Sequence, residues 1–300
     1  MMQDAIISTR GLTRHFGGRP AVDSLDLDVP AGSVYGFLGP NGAGKTTTIR
    51  MLLGLLRPTA GRLALFGREG NGPDNRRRIG ALVEAPSLYP HLTAEENLRH
   101  TCILKGIPRR DMARVLAVVG LAGDARRLVK TFSLGMKQRL GLASALLGSP
   151  ELVILDEPTN GLDPAGIQEM RYLLRDMPAA HGITVFLSSH LLAEVEQIAG
   201  EIGIIAAGRL QFQGTPAELR SRRRGWLRIG IDRPAVAAQL LQQQGFEAEE
   251  ELPDTLRLPA CDGRQAAAIN RLLVERGFAV HAISLAQPSL EEMFLDVTQN

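Results

Sequence analysis

Cysteine is nearly missing from this chain: Cys102 and Cys261 are the only two in 300 residues, far apart and without metal-ligand spacing. That pattern excludes a disulfide framework and fits a reducing cytosolic compartment. An excess of one charge is missing too. A formal net charge of +2 is too small to hold nucleic acid electrostatically, so no nucleic-acid partner is expected. The arginine clusters at residues 76–78 and 222–224 are short and read as solvated faces or linker. No apolar run approaches the roughly 20 residues needed to span a bilayer. The opening MMQDAIISTR has neither the apolar core nor the cleavage site of a signal peptide. If the protein works at a membrane, something else is expected to hold it there. Repeats and low-complexity segments are also absent. What is present is ordinary for a globular protein, 44% hydrophobic and 22% charged residues. The length allows one large domain and a small one.

The first part of the chain reads as strands alternating with helices. Residues 5–9 and 24–29 alternate as strands, and residues 34–38 form an apolar strand ending at a glycine-rich loop. A helical pattern follows over 46–56. Residues 152–155 and 184–187 are short, almost wholly apolar runs, as in strands buried on both faces of a parallel sheet. Helical spacing recurs over 137–147 and 165–177, which together argue for an α/β domain. Composition shifts near residues 221–224. Beyond lie a strand (226–231), a helix (234–244), a hairpin (246–250 and 255–258 around Pro253-Asp254), a helix (264–276) and a strand (279–284). The order βαββαβ points to a small α+β ferredoxin-like domain, closed by a short helix over 289–295.

Gly39-Pro40-Asn41-Gly42-Ala43-Gly44-Lys45-Thr46 fits GxxxxGK[ST] between a strand and a helix, the context this phosphate-binding motif requires. Glycines let backbone N–H groups curl around a polyphosphate without Cβ clashes. Lys45 suits the β- and γ-phosphates, Thr46 offers a hydroxyl to Mg²⁺, and the helix start adds its dipole. Thr47 next to them is counted with the same nucleotide site. A second constellation, Asp156-Glu157, follows the apolar run 152–155 and so sits where ligands bind in an open parallel sheet. Asp156 would hold the metal directly or through water, and Glu157 would polarise the attacking water. Helix capping is the plain alternative for such an acidic pair, but it needs no buried strand leading to it.

Just before that strand, Phe132-Ser133-Leu134-Gly135-Met136-Lys137-Gln138 reads by itself as a helix start capped by Ser133. Beside the two motifs above, it resembles the signature of ABC-type ATPases, usually written LSGGQ. Residues 4–218 then fall into register with that family. The resemblance implies a cassette of the P-loop NTPase class over residues 1–220: a parallel-sheet core, an antiparallel β portion and a helical subdomain at about 86–150. Residues 221–300 are left as an accessory domain. It implies that Phe16 stacks on adenine and that Glu84 holds the Q-loop position, contributing to the nucleotide and metal sites. It further implies that Asp163 in Gly161-Leu162-Asp163 is the D-loop aspartate, and that His190 is the switch histidine orienting water with Glu157. Two cassettes of this family pack head to tail, so Ser133 and Gly135 would meet the γ-phosphate of ATP on a second copy. The implied partners are that second copy and an integral-membrane permease. The implied cofactors are ATP and Mg²⁺, and the implied location is the cytoplasmic face of the membrane.

Two departures narrow the resemblance. Glutamate replaces the usual glutamine at residue 84, and Leu134 and Met136 replace a glycine and a glutamine of the signature. Residues 79–86, 88–90 and 93–98 are similar to the ATPases of bacitracin-resistance and lantibiotic-immunity exporters, which carry that glutamate. The resemblance therefore implies ATP-driven export of a peptide antibiotic, lantibiotic or other drug. Leu88, Tyr89 and Leu92 suit either a permease-docking groove or the helical-subdomain core. An ABC-type ATPase outside transport is the rival reading, but the repair type needs sustained heptads, absent here, and the translation type joins two cassettes. A weakly hydrolysing regulatory module is the other rival, favoured by Glu84 and Leu134 and opposed by Glu157 and His190.

Overall fold

Short apolar runs become strands buried at every position, and these carry the loops of interest. The computed structural model describes residues 5–221, 225–259, 261–286 and 293–294. The chain divides into two compact units, Met1–Pro216 with Phe294–Asn300, and Ala217–Met293.

In the first unit the elements run β1 (Ala5–Phe16), β2 (Arg19–Pro30), β3 (Val34–Leu38), α1 (Lys45–Leu52), β4 (Ala60–Leu65) and β5 (Arg68–Glu69). They continue with α2 (Pro73–Arg77), β6 (Ile79–Leu82), α3 (Ala94–Lys105), α4 (Asp111–Val118) and α5 (Leu134–Leu146). Then come β7 (Leu152–Asp156), α6 (Pro164–His181), β8 (Thr184–Ser189), α7 (Leu192–Val195), β9 (Glu201–Ala206) and β10 (Arg209–Gly214). A six-stranded sheet has the order β10-β9-β3-β8-β7-β6. Its ladders from β9 to β6 are parallel, and β10 is antiparallel at the edge. A separate four-stranded sheet, β2-β1-β4-β5, is antiparallel. Helices α3, α4 and α5 pack on one another, burying Leu98, Val115, Leu116 and Leu140.

Residues of β3, β7 and β8 are buried throughout, because helices or the second sheet cover both faces. Phe186 at the centre stacks on Tyr35 with ring centroids 5.7 Å apart and tilts against Phe37 at 5.4 Å. Phe186→Ala is expected to destabilise the unit by about 3–5 kcal/mol, from lost burial plus the cavity left behind. Denaturant unfolding checks this; a change near zero would mean the core closes over the gap.

Strands β1 and β2 extend well past the expected 5–9 and 24–29, pairing from Ala5 opposite Pro30 to Phe16 opposite Arg19. Register shifts after Thr9 and Leu12 reset the in-out alternation, so a period of two is readable only over short stretches. Helix α1 stops at Leu52, short of the expected residue 56. Gly54 turns left-handed (φ +70°), and the Arg50 carbonyl accepts from both Leu55 and Leu56 N–H. The apolar pattern outlasts the helix because Leu53 and Leu56 pack on the core without continuing it, while Leu55 is exposed. Helix α5 begins three residues earlier than the spacing predicts, since Ser133 caps it by accepting from Met136 N–H at 3.2 Å.

After α8 (Pro216–Ser221), the second unit holds β11 (Trp226–Ile231), α9 (Pro234–Gln243), β12 (Glu249–Leu252), β13 (Thr255–Pro259), α10 (Gly263–Glu275) and β14 (Val280–Ala286). Its antiparallel sheet has the order β12-β13-β11-β14. Leu227, Ile229, Leu241, Leu256, Leu258, Leu273 and Phe278 form its core. The first hairpin strand lies later than the expected 246–250, because Phe246 N–H bonds the Leu241 carbonyl and closes α9 instead. The closing helix expected over 289–295 falls mostly outside the described residues; Met293 and Phe294 are helical and buried.

Candidate functional site

The phosphate-binding loop leaves β3 and runs straight into α1. Its glycines answer specific constraints. A Cβ on Gly39 would stand 2.3 Å from the Ile205 carbonyl oxygen, and Gly44 takes φ +110° with the Ala21 carbonyl 2.5 Å from any Cβ there. Only glycine meets both demands without displacing backbone. Ala43 N–H bonds the Pro40 carbonyl at 3.2 Å, and Thr48 N–H bonds that of Gly44 at 2.9 Å, setting the first helical turn. The loop walls a cavity of about 220 Å³ lined by Ala21, Asn41, Gly42, Gly44, Lys45, Thr46, Thr47 and Glu157.

Lys45 is 6% exposed, its Nζ donating to the carbonyls of Gly39 (2.7 Å) and Pro40 (3.3 Å) and lying 3.3 Å from Glu157 Oε1. The other Glu157 oxygen, Oε2, is 2.8 Å from His190 Nδ1. Glu157 adopts φ +51°, a left-handed backbone costing roughly 1–2 kcal/mol for a residue with a Cβ. This turn separates the adjacent carboxylates. Asp156 ends β7 facing Thr46, whose Oγ1 donates to Oδ2 at 2.9 Å, while Glu157 faces Lys45 and His190. Thr46 and Asp156 offer only oxygen donors, the type a hard divalent cation such as Mg²⁺ takes with phosphate oxygens and water. The donor chemistry therefore fits that ion.

Ser188 ties the Asp156 carboxylate to the backbone of Glu157. It sits opposite Asp156 in the β7–β8 ladder, donates to Asp156 Oδ1 at 2.5 Å and accepts from Glu157 N–H at 3.0 Å. No motif in the sequence singles it out, though its place at the end of an apolar strand beside His190 is a usable signal.

A second concavity, about 450 Å³, is lined by Ser133, Leu134, Gly135, Met136, Arg139, Gly161, Leu162, Asp163, Ala165, Gly166 and Glu169. It lies where the N-terminus of α5 meets that of α6. Asp163 caps α6, accepting from Gly166 N–H at 2.9 Å, and Pro164 occupies the first helical position. Ser133, Gly135 and Asp163 thus share one hollow, with Leu134 half-exposed at its wall.

The chain is similar to known proteins. The ABC transporter family profile covers residues 22–160. Over 297 residues, the chain is 44% identical to the bacitracin transport ATP-binding protein BcrA of Bacillus licheniformis, covering 97% of this chain and 96% of that protein. The chain belongs to the ABC transporter ATP-binding proteins. It is also 42% identical over 205 residues to the lantibiotic transport ATP-binding protein SrtF of Streptococcus pyogenes, covering 68% of this chain and 89% of that one. Among solved structures, cbiO1 of Clostridium perfringens, part of the ABC transporter complex cbiONQ, aligns with a TM-score of 0.68 at 26% identity. That alignment covers 73% of this chain and 92% of cbiO1. The first unit is therefore an ABC ATPase cassette of the P-loop NTPase fold.

Within this cassette, two expected site residues stand apart from the phosphate cavity. Phe16 ends β1 half-exposed, with the Arg14 guanidinium 4.7 Å above its ring, and Ala21 rather than Phe16 lines the cavity. Glu84 is 63% exposed, takes φ +61° and ion-pairs with Arg50 of α1. Its carboxylate is engaged by that arginine and not by Thr46 or Asp156. Arg50 carries no motif, and only its place four residues after Thr46 marks it.

Proposed function

We propose that this chain is the ATP-hydrolysing subunit that powers an ABC exporter of a peptide antibiotic, lantibiotic or other drug. One observation carries the hydrolysis: a single carboxylate, Glu157, within 3.3 Å of Lys45 and 2.8 Å of His190. In this reading the loop N–H groups, the α1 dipole and Lys45 bind the polyphosphate. When bound, Mg²⁺, held by Thr46 and Asp156, screens phosphate charge and sharpens the γ-phosphorus as an electrophile. Glu157 takes the proton of the attacking water, and His190 holds that carboxylate in place. Ser188 fixes the turn that keeps the two acidic side chains on separate tasks. Ser133, Gly135 and Asp163 belong to the other half of a site completed by a second copy, with the α5 N-terminus facing the γ-phosphate.

The export reading is supported by the names of the relatives similar over most of the chain. It places the protein at the cytoplasmic face of a membrane through a permease; among the described residues no helix is long and apolar enough to cross a bilayer. Residues 1–220 form the cassette and 221–300 an accessory domain. The βαββαβ order and the sheet order β12-β13-β11-β14 support a ferredoxin-like reading of the latter.

Mg²⁺-dependent phosphate release by the purified chain tests this function. Lys45→Ala is expected to weaken ATP binding by roughly 10- to 10²-fold, from the loss of charge-assisted hydrogen bonds, and to stop turnover. Turnover independent of Lys45 or of Mg²⁺ would contradict the reading. Co-purification with a membrane protein tests the transport half.

A further inference from the structure

Residue 84 brings a negative charge to the edge of a site built for a polyanion, and the structure gives that charge a partner. Arg50 lies four residues beyond Thr46 on α1, so the two share one helix face a single turn apart. Thr46 in turn bonds Asp156. The Arg50 guanidinium meets Glu84 Oε1, with the two side chains 47% and 63% exposed. Glu84 follows β6, adjacent to β7 in the sheet, and its left-handed backbone (φ +61°) directs the chain out of the strand where this pair forms. A solvent-exposed pair of this kind is weak and can be exchanged at little cost. The residue that holds the Glu84 carboxylate is thus rooted one helical turn from the hydroxyl assigned above to the metal.

We propose that Arg50 is a positioning residue for Glu84. Rooted one helical turn from Thr46, it holds the carboxylate and offsets its charge until a metal nucleotide competes for it. Arg50 therefore matters only because residue 84 is a carboxylate. The inference rests on the proposed ATP site, and its test separates the two.

Arg50→Gln, Glu84→Gln, the double variant and Arg50→Lys are compared in the full-length chain. Equilibrium binding of a fluorescent ATP analogue is measured with and without Mg²⁺, together with the Mg²⁺ concentration that half-activates turnover. Thermal unfolding without nucleotide checks that each variant is folded. Without Mg²⁺, Arg50→Gln is expected to weaken analogue binding by about twofold to fivefold, because the Glu84 charge is left uncompensated. The half-activating Mg²⁺ concentration is expected to fall by a similar factor, because Glu84 is freed for the metal. Arg50→Lys keeps both values near wild type, and the double variant matches Glu84→Gln alone. Equal shifts from Arg50→Gln in the presence and absence of Glu84 would overturn the proposal, as would no shift at all. If the wild-type chain binds no ATP, the proposed function falls and this inference with it. If it binds and hydrolyses ATP normally while Arg50 and Glu84 act independently, only this inference falls.

Discussion

Glu157→Gln is expected to bind ATP as well as the unaltered chain, or better, while turnover falls by roughly 10²–10⁴-fold. Glutamine keeps the side-chain volume and an oxygen that can face His190, so the loop around it should hold its shape. What it loses is the capacity to take a proton and the negative charge 3.3 Å from Lys45. Losing the charge frees Lys45 for phosphate and lowers like-charge repulsion on the nucleotide, so affinity should not drop. Nucleotide binding and single-turnover phosphate release, measured side by side, separate the two effects. Turnover near that of the unaltered chain would remove Glu157 from the role of base.

Ser133→Arg is expected to cut turnover by at least about 10²-fold while ATP still binds the phosphate loop of the same chain. The arginine would fill the hollow shared by Ser133, Gly135 and Asp163 and block the α5 N-terminus, whose backbone donors stabilise developing charge. The stability cost should be modest, about 1 kcal/mol for a lost N-cap, since Ser133 makes one capping bond to Met136 N–H. Unfolding measurements therefore distinguish a blocked surface from a broken fold. Loss of ATP binding in this variant would place Ser133 in the same half-site as Lys45, against the account.

The residues proposed for the phosphate-loop half-site share one cause of legibility: each follows a strand so apolar that its burial is unmistakable. Lys45 follows 34–38, Asp156 and Glu157 follow 152–155, and His190 follows 184–187, and the parallel sheet brings these ends together. Ser188 is not legible in this way, because its bonds to Asp156 and Glu157 depend on the register between β7 and β8, which spacing along the chain does not encode. Arg50 is hidden for a similar reason. On its own helix it looks like any exposed arginine, and only the backbone turn at Glu84 supplies its partner. The length of β1 and β2 escapes because their register shifts scramble the alternation that marks a strand. In the second unit, α9, α10 and the central strands are readable from periodicity. The strand β12 (Glu249–Leu252) has no apolar face to betray its position.

In the proposed function one chain holds two half-sites, the phosphate loop on one side and the hollow at Ser133 on the other, and a working site needs both from different copies. Mixing Lys45→Ala chains with Ser133→Arg chains tests this most directly. Each variant alone should be inactive, because every site it forms lacks one half. Their mixture should recover up to about one quarter of the unaltered turnover, since about half of randomly paired dimers are mixed and each holds one whole site. Turnover by Ser133→Arg alone at the unaltered rate would contradict the claim, for it would mean a single chain completes its own site.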